Sequence, residues 1–305
     1  MLRTEIDGDG IAILILDQPG RSVNTLGWGL VDALEAEVER LAADGAVSGI
    51  IVTSGKSSFL AGADLSIMNG LAVPDVTLPE AARRIGRMGA LFRRLETCGK
   101  PVVAVAPGTA LGAGLELMLA CHHRLVADNP KGLFGLPEVT LGILPGAGGT
   151  QRVLRRLGIA AALPILVDGR PMTAVEAQAA GLIDAIVAPD DLLPAAKAAL
   201  REGRVNPVAP WDVKGFRLAG LAPTSTAAGD LFAVWNARVL ARTKGEDPAP
   251  RAILSCVFEG ARLPMDKALK VERDYCAALI QSPQAQDKIA AFFARQAAKA
   301  GGAAS

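Results

Sequence analysis

Through about residue 200 the chain alternates brief apolar runs with longer amphipathic stretches. Residues 2–7 and 11–17 are apolar segments around Gly8-Asp9-Gly10, which predicts a hairpin. Leu30, Val31, Leu34, Val38 and Leu41 recur at helical spacing and predict a helix over 26–43. Residues 48–53 and 101–106 are continuous apolar runs and predict buried strands. A loop is predicted over 70–77 and an amphipathic helix over 79–96. Further helices are predicted from Leu115 to Ala120, from Gly149 to Leu157 and from Asp191 to Arg201, with short strands at 124–127 and 183–187. Arg152, Arg155 and Arg156 are assigned to a polar side of the 149–157 helix. Thr173 is placed as the cap of a helix that Gly181 ends. Strands alternating with helices indicate an α/β fold. After about residue 205 the pattern changes: a loop-like link holds Pro207, Pro210 and Gly215, residues 225–299 read as helices without strands, and Ala297 to Ser305 read as a disordered tail.

Composition narrows the function classes. At 305 residues with half of them hydrophobic, the chain can bury a large core. A net charge of +1 gives no electrostatic case for nucleic acid or an anionic membrane, and glycines, prolines and Glu116 interrupt the longest apolar run, so no membrane span is expected. The start is charged and quickly reaches Asp-Gly, unlike a secretory signal. Cys98, Cys121, Cys256 and Cys276 are too scattered for a metal or redox pair, which points to a reducing, cytoplasmic compartment. The two histidines, His122 and His123, are adjacent, and a strand-entry pair near the surface or packed against a neighbour is the favoured reading over a catalytic one. No metal site is expected.

Candidate chemistry lies in three glycine-rich stretches: Gly108 to Glu116, Phe134 to Glu138, and Leu144 to Arg152. The first follows a predicted strand and enters a helix, where unpaired N–H groups and a partial positive charge can meet a carbonyl oxygen gaining negative charge. A second donor could come from Ala61-Gly62-Ala63-Asp64, also just after a strand. Taken alone, the first reads better as a tight strand-to-helix turn and the second as a loop of small residues. Glu116 lies one turn into an otherwise apolar helix, where burial would raise its proton affinity. Its alternative is a carboxylate on a solvated helix start, and that of Glu138 is a first-turn acid after Pro137.

Together these motifs resemble the crotonase superfamily, specifically enoyl-CoA hydratases. They include Gly108-x-Ala110-Leu111-Gly112-Ala113-Gly114-Leu115-Glu116, Phe134-Gly135-x-Pro137-Glu138, Leu141-Gly142-x-x-Pro145-Gly146-x-Gly148-Gly149-Thr150-Gln151, Asp17-x-Pro19 with Asn24, Phe59-x-Ala61-Gly62-Ala63-Asp64 and Met172-Thr173-Ala174-x-Glu176-Ala177. A narrower resemblance, in Pro210-Trp211-Asp212-Val213-Lys214 and Cys256-Val257-Phe258-Glu259-Gly260, is to the linker of multifunctional fatty-acid oxidation enzymes. The chain stops where a dinucleotide-binding Gly-x-Gly-x-x-Gly would be expected, so the resemblance implies an isolated hydratase portion with no NAD site. It implies a crotonase-like spiral of ββα units over residues 1–205 and a helical, linker-like region over 206–305.

The same resemblance implies site roles. The N–H groups of Ala63 and Ala113 would hold a thioester oxygen. Glu116 and Glu138 would hold a water, Glu116 helping its attack and Glu138 handling the α-carbon proton. The Gly146 N–H would support the water and Glu138. Ala61, Asp64 and Arg21 would lie near CoA, which is part of the substrate; no separate cofactor is implied. Two departures stand out: alanine at 113, where glycine is common and where a methyl group would exclude positive φ, and a lengthened loop at Asn129-Pro130-Lys131-Gly132 between the glutamates. The expected activity is enoyl-CoA hydration in fatty-acid β-oxidation. The rivals are a Δ3-Δ2-enoyl-CoA isomerase and a non-catalytic assembly module. The expected partners are an acyl-CoA thioester, and a thiolase subunit or further copies of the chain.

Overall fold

A computed structural model describes residues 1–73 and 75–302. The expected hairpin is β1 (Leu2–Ile6) and β2 (Ile11–Leu16), paired antiparallel with Ile6 opposite Ala12. Next come α1 (Trp28–Ala43), which buries all five residues of its predicted stripe, and β3 (Gly49–Ser54). Residues 66–71 form a short helix, α2 (Ser66–Leu71), that the sequence pattern does not predict; Ile67, Met68 and Leu71 are buried on it. Then follow α3 (Leu78–Glu96), β4 (Val102–Ala106), β5 (Ala110–Leu111), α4 (Ala113–Ala120), β6 (His123–Ala127) and β7 (Leu133–Gly135). A 3-10 turn spans Pro137–Leu141, and α5 (Gly149–Leu157) begins after the third glycine cluster.

Residues 159–168, for which the apolar pattern gives no element, form α6 (Ile159–Asp168) around an internal Pro164. β8 (Met172–Thr173) leads into α7 (Ala174–Ala179), where Thr173 and Glu176 form a reciprocal capping box. β9 (Ala185–Val187) and α8 (Leu192–Arg201) follow as expected. The C-terminal part is all helical among the described residues: α9 (Thr226–Thr243), α10 (Pro248–Gly260), α11 (Met265–Ile280) and α12 (Pro283–Gly302). Within the stretch expected from Ala297 as a disordered tail, α12 is described as far as Gly302. Residues 303–305 lie outside the described residues.

Two sheets organise the chain. The larger has six strands in the order β1-β2-β3-β4-β6-β9, parallel from β2 onward. Strands covered on both faces read as unbroken apolar runs, which is why β3 and β4 are legible in the sequence. The smaller sheet, β5-β7-β8, is built from pieces of two or three residues. α10 and α11 pack on α3, α5 and α6 and contribute Ile253, Val257 and Cys276 to one continuous core with Phe92, Leu154 and Leu163. The helical region after 205 is therefore part of the same packed body. No helix among the described residues is long and apolar enough to cross a membrane.

One placement differs from expectation. α5 is packed by α4, α6, α10 and α11, and of its three arginines only Arg156, paired with Asp184, is partly exposed. Arg152 is fully buried and Arg155 nearly so. Arg152 donates to both carboxylate oxygens of Glu96, and Arg155 to the carbonyls of Gly260 and Leu263 at the end of α10. A buried charge requires such partners, and here they come from segments distant in the chain.

Candidate active site

The small sheet gathers the site. β5 runs parallel to β7, with Leu111 opposite Gly135. The helix carrying Glu116 and the turn carrying Glu138 start just beyond those paired residues, on adjacent strands. A bridge between Leu60 and Ala110 fastens the Ala61–Asp64 segment to the same sheet. Gly114 makes that approach possible: a side chain there would overlap the Leu60 carbonyl oxygen. Gly112 takes the positive φ (52°) at the turn into α4, so Ala113 escapes the strain its side chain would bring there.

These segments enclose a cavity of about 240 Å³. Ala63, Ala113, Glu116, Glu138 and Gly146 line it, with an apolar wall from Met68, Leu71, Ile85 and Met88. Among the described residues the amides of Ala63 and Ala113 donate to no protein acceptor. Ala61 also lines the cavity, whereas Asp64 and Arg21 do not. Arg21 instead donates to Asp64 at 3.1 Å and to Thr25 at 3.0 Å, and Lys56 donates to the Arg21 carbonyl oxygen at 2.7 Å. Hydrogen bonds from Ser66, then the Arg21 charge, hold the Asp64 carboxyl below its usual range. Arg21 and Lys56 thus lie together, paired with Asp64 and Asp17 respectively, and only Arg21 is named by the sequence motifs.

Both glutamates are buried. Glu116 Oε1 accepts from Ala147 and Gly149, each at 2.8 Å, and its Oε2 has no protein partner among the described residues. Gly146 lines the cavity, but the donating amides are those of its neighbours. Glu138 Oε2 is buried with no hydrogen bond. Burial raises the proton affinity of Glu116 against the pull of its two amide donors. Glu138 is pushed well above the ordinary range by burial and then by the Glu116 charge. Gly112 permits this closeness too, since a side chain there would meet Glu138 Oε1 at 2.6 Å.

The sequence reading misses Glu272. This α11 carboxylate is 1% exposed and accepts from the Gly148 and Thr150 amides at 2.5 and 2.9 Å. Burial, then the Glu116 charge, pushes it up to about 8. The missed signal is its place on the buried stripe Met265, Ala268, Glu272, Cys276 and Leu279, where an acid is anomalous. Cys276, Ile280 and Phe292 from the same C-terminal helices line the cavity. The histidines hold structure: His122 Nδ1 accepts from the Val102 amide and its Nε2 sits 3.0 Å from the Glu96 carbonyl, while His123 lies 3.6 Å from Asp184. All four cysteines are buried free thiols.

A sequence model described as enoyl-CoA hydratase/isomerase matches residues 7–208. The chain belongs to the enoyl-CoA hydratase/isomerase family. Among its curated relatives is a fatty acid oxidation complex subunit alpha of Shewanella amazonensis, 37% identical over 289 residues. That alignment covers 94% of this chain and 40% of the relative. The corresponding protein of Shewanella frigidimarina is also 37% identical, with the same coverages. The chain therefore spans about 40% of the length of these relatives. Among solved structures, an enoyl-CoA hydratase from Bacillus halodurans superposes with a TM-score of 0.67 at 22% identity, covering 95% of this chain and 99% of that one, and shares the fold. DspI of Pseudomonas aeruginosa gives 0.59 at 27% identity, over 68% and 81% of the two chains. The family match ends at 208, so Cys276, Ile280 and Phe292 line the cavity from outside the matched span, and Glu272 holds the 148–150 amides from there as well.

Proposed function

We propose that the chain adds water across the double bond of 2-enoyl-CoA thioesters to give 3-hydroxyacyl-CoA, as a step of fatty-acid oxidation. One observation carries this reading: two buried carboxylates from separate segments face one cavity, and two unengaged backbone amides line it. A 2-enoyl thioester becomes electrophilic at its β-carbon only when its carbonyl is polarised. Water addition places negative charge on the thioester oxygen, where the Ala63 and Ala113 N–H groups would stabilise it. Loss of one such donor typically costs roughly 10²–10³ in rate. Glu116, fixed through Oε1, would take the proton of the attacking water. Glu138, whose surroundings favour its protonated form, would deliver a proton to the α-carbon. A positioned carboxyl is worth about 10²–10⁴ in such a step.

One mobile carboxylate could instead move a proton between carbons and shift a double bond, so isomerisation is the reading to measure alongside. The assay is turnover of crotonyl-CoA and of a 3-enoyl-CoA by wild type, Glu138→Gln and Glu116→Gln. Both substitutions should cut hydration by about 10² or more while thioester affinity stays within a few-fold. Hydration that survives Glu138→Gln removes the mechanism. Hydration untouched by Glu116→Gln makes isomerase the better name. The relatives' names place them in fatty acid oxidation complexes, and the corresponding proposal is that this chain works beside other subunits of such a complex.

A further inference from the structure

The turn entering α5 offers four consecutive amides, and two carboxylates divide them by turns. Ala147 and Gly149 donate to Glu116 of α4. Gly148 and Thr150 donate to Glu272 of α11, and the Thr150 hydroxyl adds a third bond to the same side chain. Neither carboxylate can shift without moving the amides held by the other. Gly148 sits at a φ of 104°, and a side chain there would overlap the Arg152 guanidinium. Gly149 lets Glu116 approach, because a side chain would meet its Oε1 at 2.8 Å. Capping this helix does not require a second acid, since Glu116 already supplies one. Another buried acid at the same helix end must either keep its proton or sit as a like charge beside Glu116, an expensive arrangement for packing alone.

We propose that Glu272 is a positioning residue for the reaction: it grips the even-numbered amides of the 147–150 turn and so fixes the odd-numbered amides that orient Glu116. This rests on the hydratase reading above. The ionisable groups facing Glu272 are Glu116 from α4, Glu138 from the 3-10 turn, Arg152 and Arg155 from α5, Cys256 from α10 and Cys276 on its own helix. Arg152 is engaged by Glu96, so it does not neutralise Glu272 alone. Ionised Glu272 raises the proton affinity of Glu138. In hydration Glu138 must arrive protonated, so an ionised Glu272 extends activity toward higher pH.

The test is Glu272→Gln, read by kcat and KM for crotonyl-CoA from about pH 6 to 10 and by amide NMR of Ala147 and Gly149 in the free protein. Expected are a kcat reduced about tenfold to a hundredfold with KM within about threefold, as for a displaced catalytic group. The alkaline limb should move to lower pH, and both amide signals should shift. A folded variant with an unchanged pH profile and unmoved signals overturns the proposal; so does a lower kcat with the limb in place, which is what a packing role alone would give. If Glu272→Gln does not fold, Thr150→Val removes only the hydroxyl donor; it should also move the limb and both signals, and failure to move either overturns the proposal. Absence of turnover in wild type would remove the hydratase reading instead, and the amide signals would still decide whether Glu272 governs the turn.

Discussion

Glu272 stores a penalty that pH can reveal. In the unfolded chain its carboxyl ionises near 4.5, whereas folded it is pushed up to about 8. Between those values the folded state holds a proton that the unfolded state has released. Stability therefore falls as pH rises through that window and levels off above it. Below the unfolded value both states are protonated and the penalty vanishes. Melting temperatures of wild type and Glu272→Gln should consequently diverge in slope between about pH 5 and 8, with the wild type declining more steeply. Parallel curves would show that this carboxyl does not carry the effect. At this scale the sequence is informative where an acid stands beside glycines, as Glu116 and Glu138 do, since close backbone approach and a buried acid coincide there. It is uninformative for Arg152, whose partner Glu96 lies far along the chain and whose burial depends on four surrounding helices.

Among the elements, α5 is the junction. Its first turn holds two carboxylates, and Arg152 ties its body to α3 through Glu96 while also donating to the Ala147 carbonyl at 3.0 Å. Arg152→Met would leave Glu96 buried with only Arg93, which donates to it at 2.7 Å. Removing one partner of a buried pair typically costs about 3–5 kcal/mol, and the remaining Arg93 contact argues for about 3. Denaturant titration should show that loss; a change below about 1 kcal/mol would mean the pair is dispensable. The long helices and central strands are legible because their periods are long enough to register. β5, β7 and β8 are not, since two or three residues make no pattern and only their partners make them strands. Yet this sheet brings Glu116 to Glu138, so the family motifs locate the site where periodicity could not. α6 escapes for another reason: alanines and an internal proline blur its apolar stripe.

For the molecule as a whole, the division near residue 205 is visible in composition but not in packing. Residues on both sides share one core; from beyond the division Cys276 and Ile280 line the cavity and Glu272 holds the turn beside it. A chain ending at residue 208 would leave apolar faces of α3, α5 and α6 uncovered. It should express without a cooperative unfolding transition and without turnover, as circular dichroism and the crotonyl-CoA assay would show. A stable, active fragment would mean the later helices are accessory. The sequence cannot announce this dependence, because an acid on an apolar stripe only acquires meaning once its amide donors, more than a hundred positions earlier, are brought against it. Interleaved ownership of a single loop has a practical corollary for redesign. Anyone transplanting the first acidic helix, or trimming the last ones, inherits an unsatisfied half of the same bend, so the two must be moved or kept as a unit.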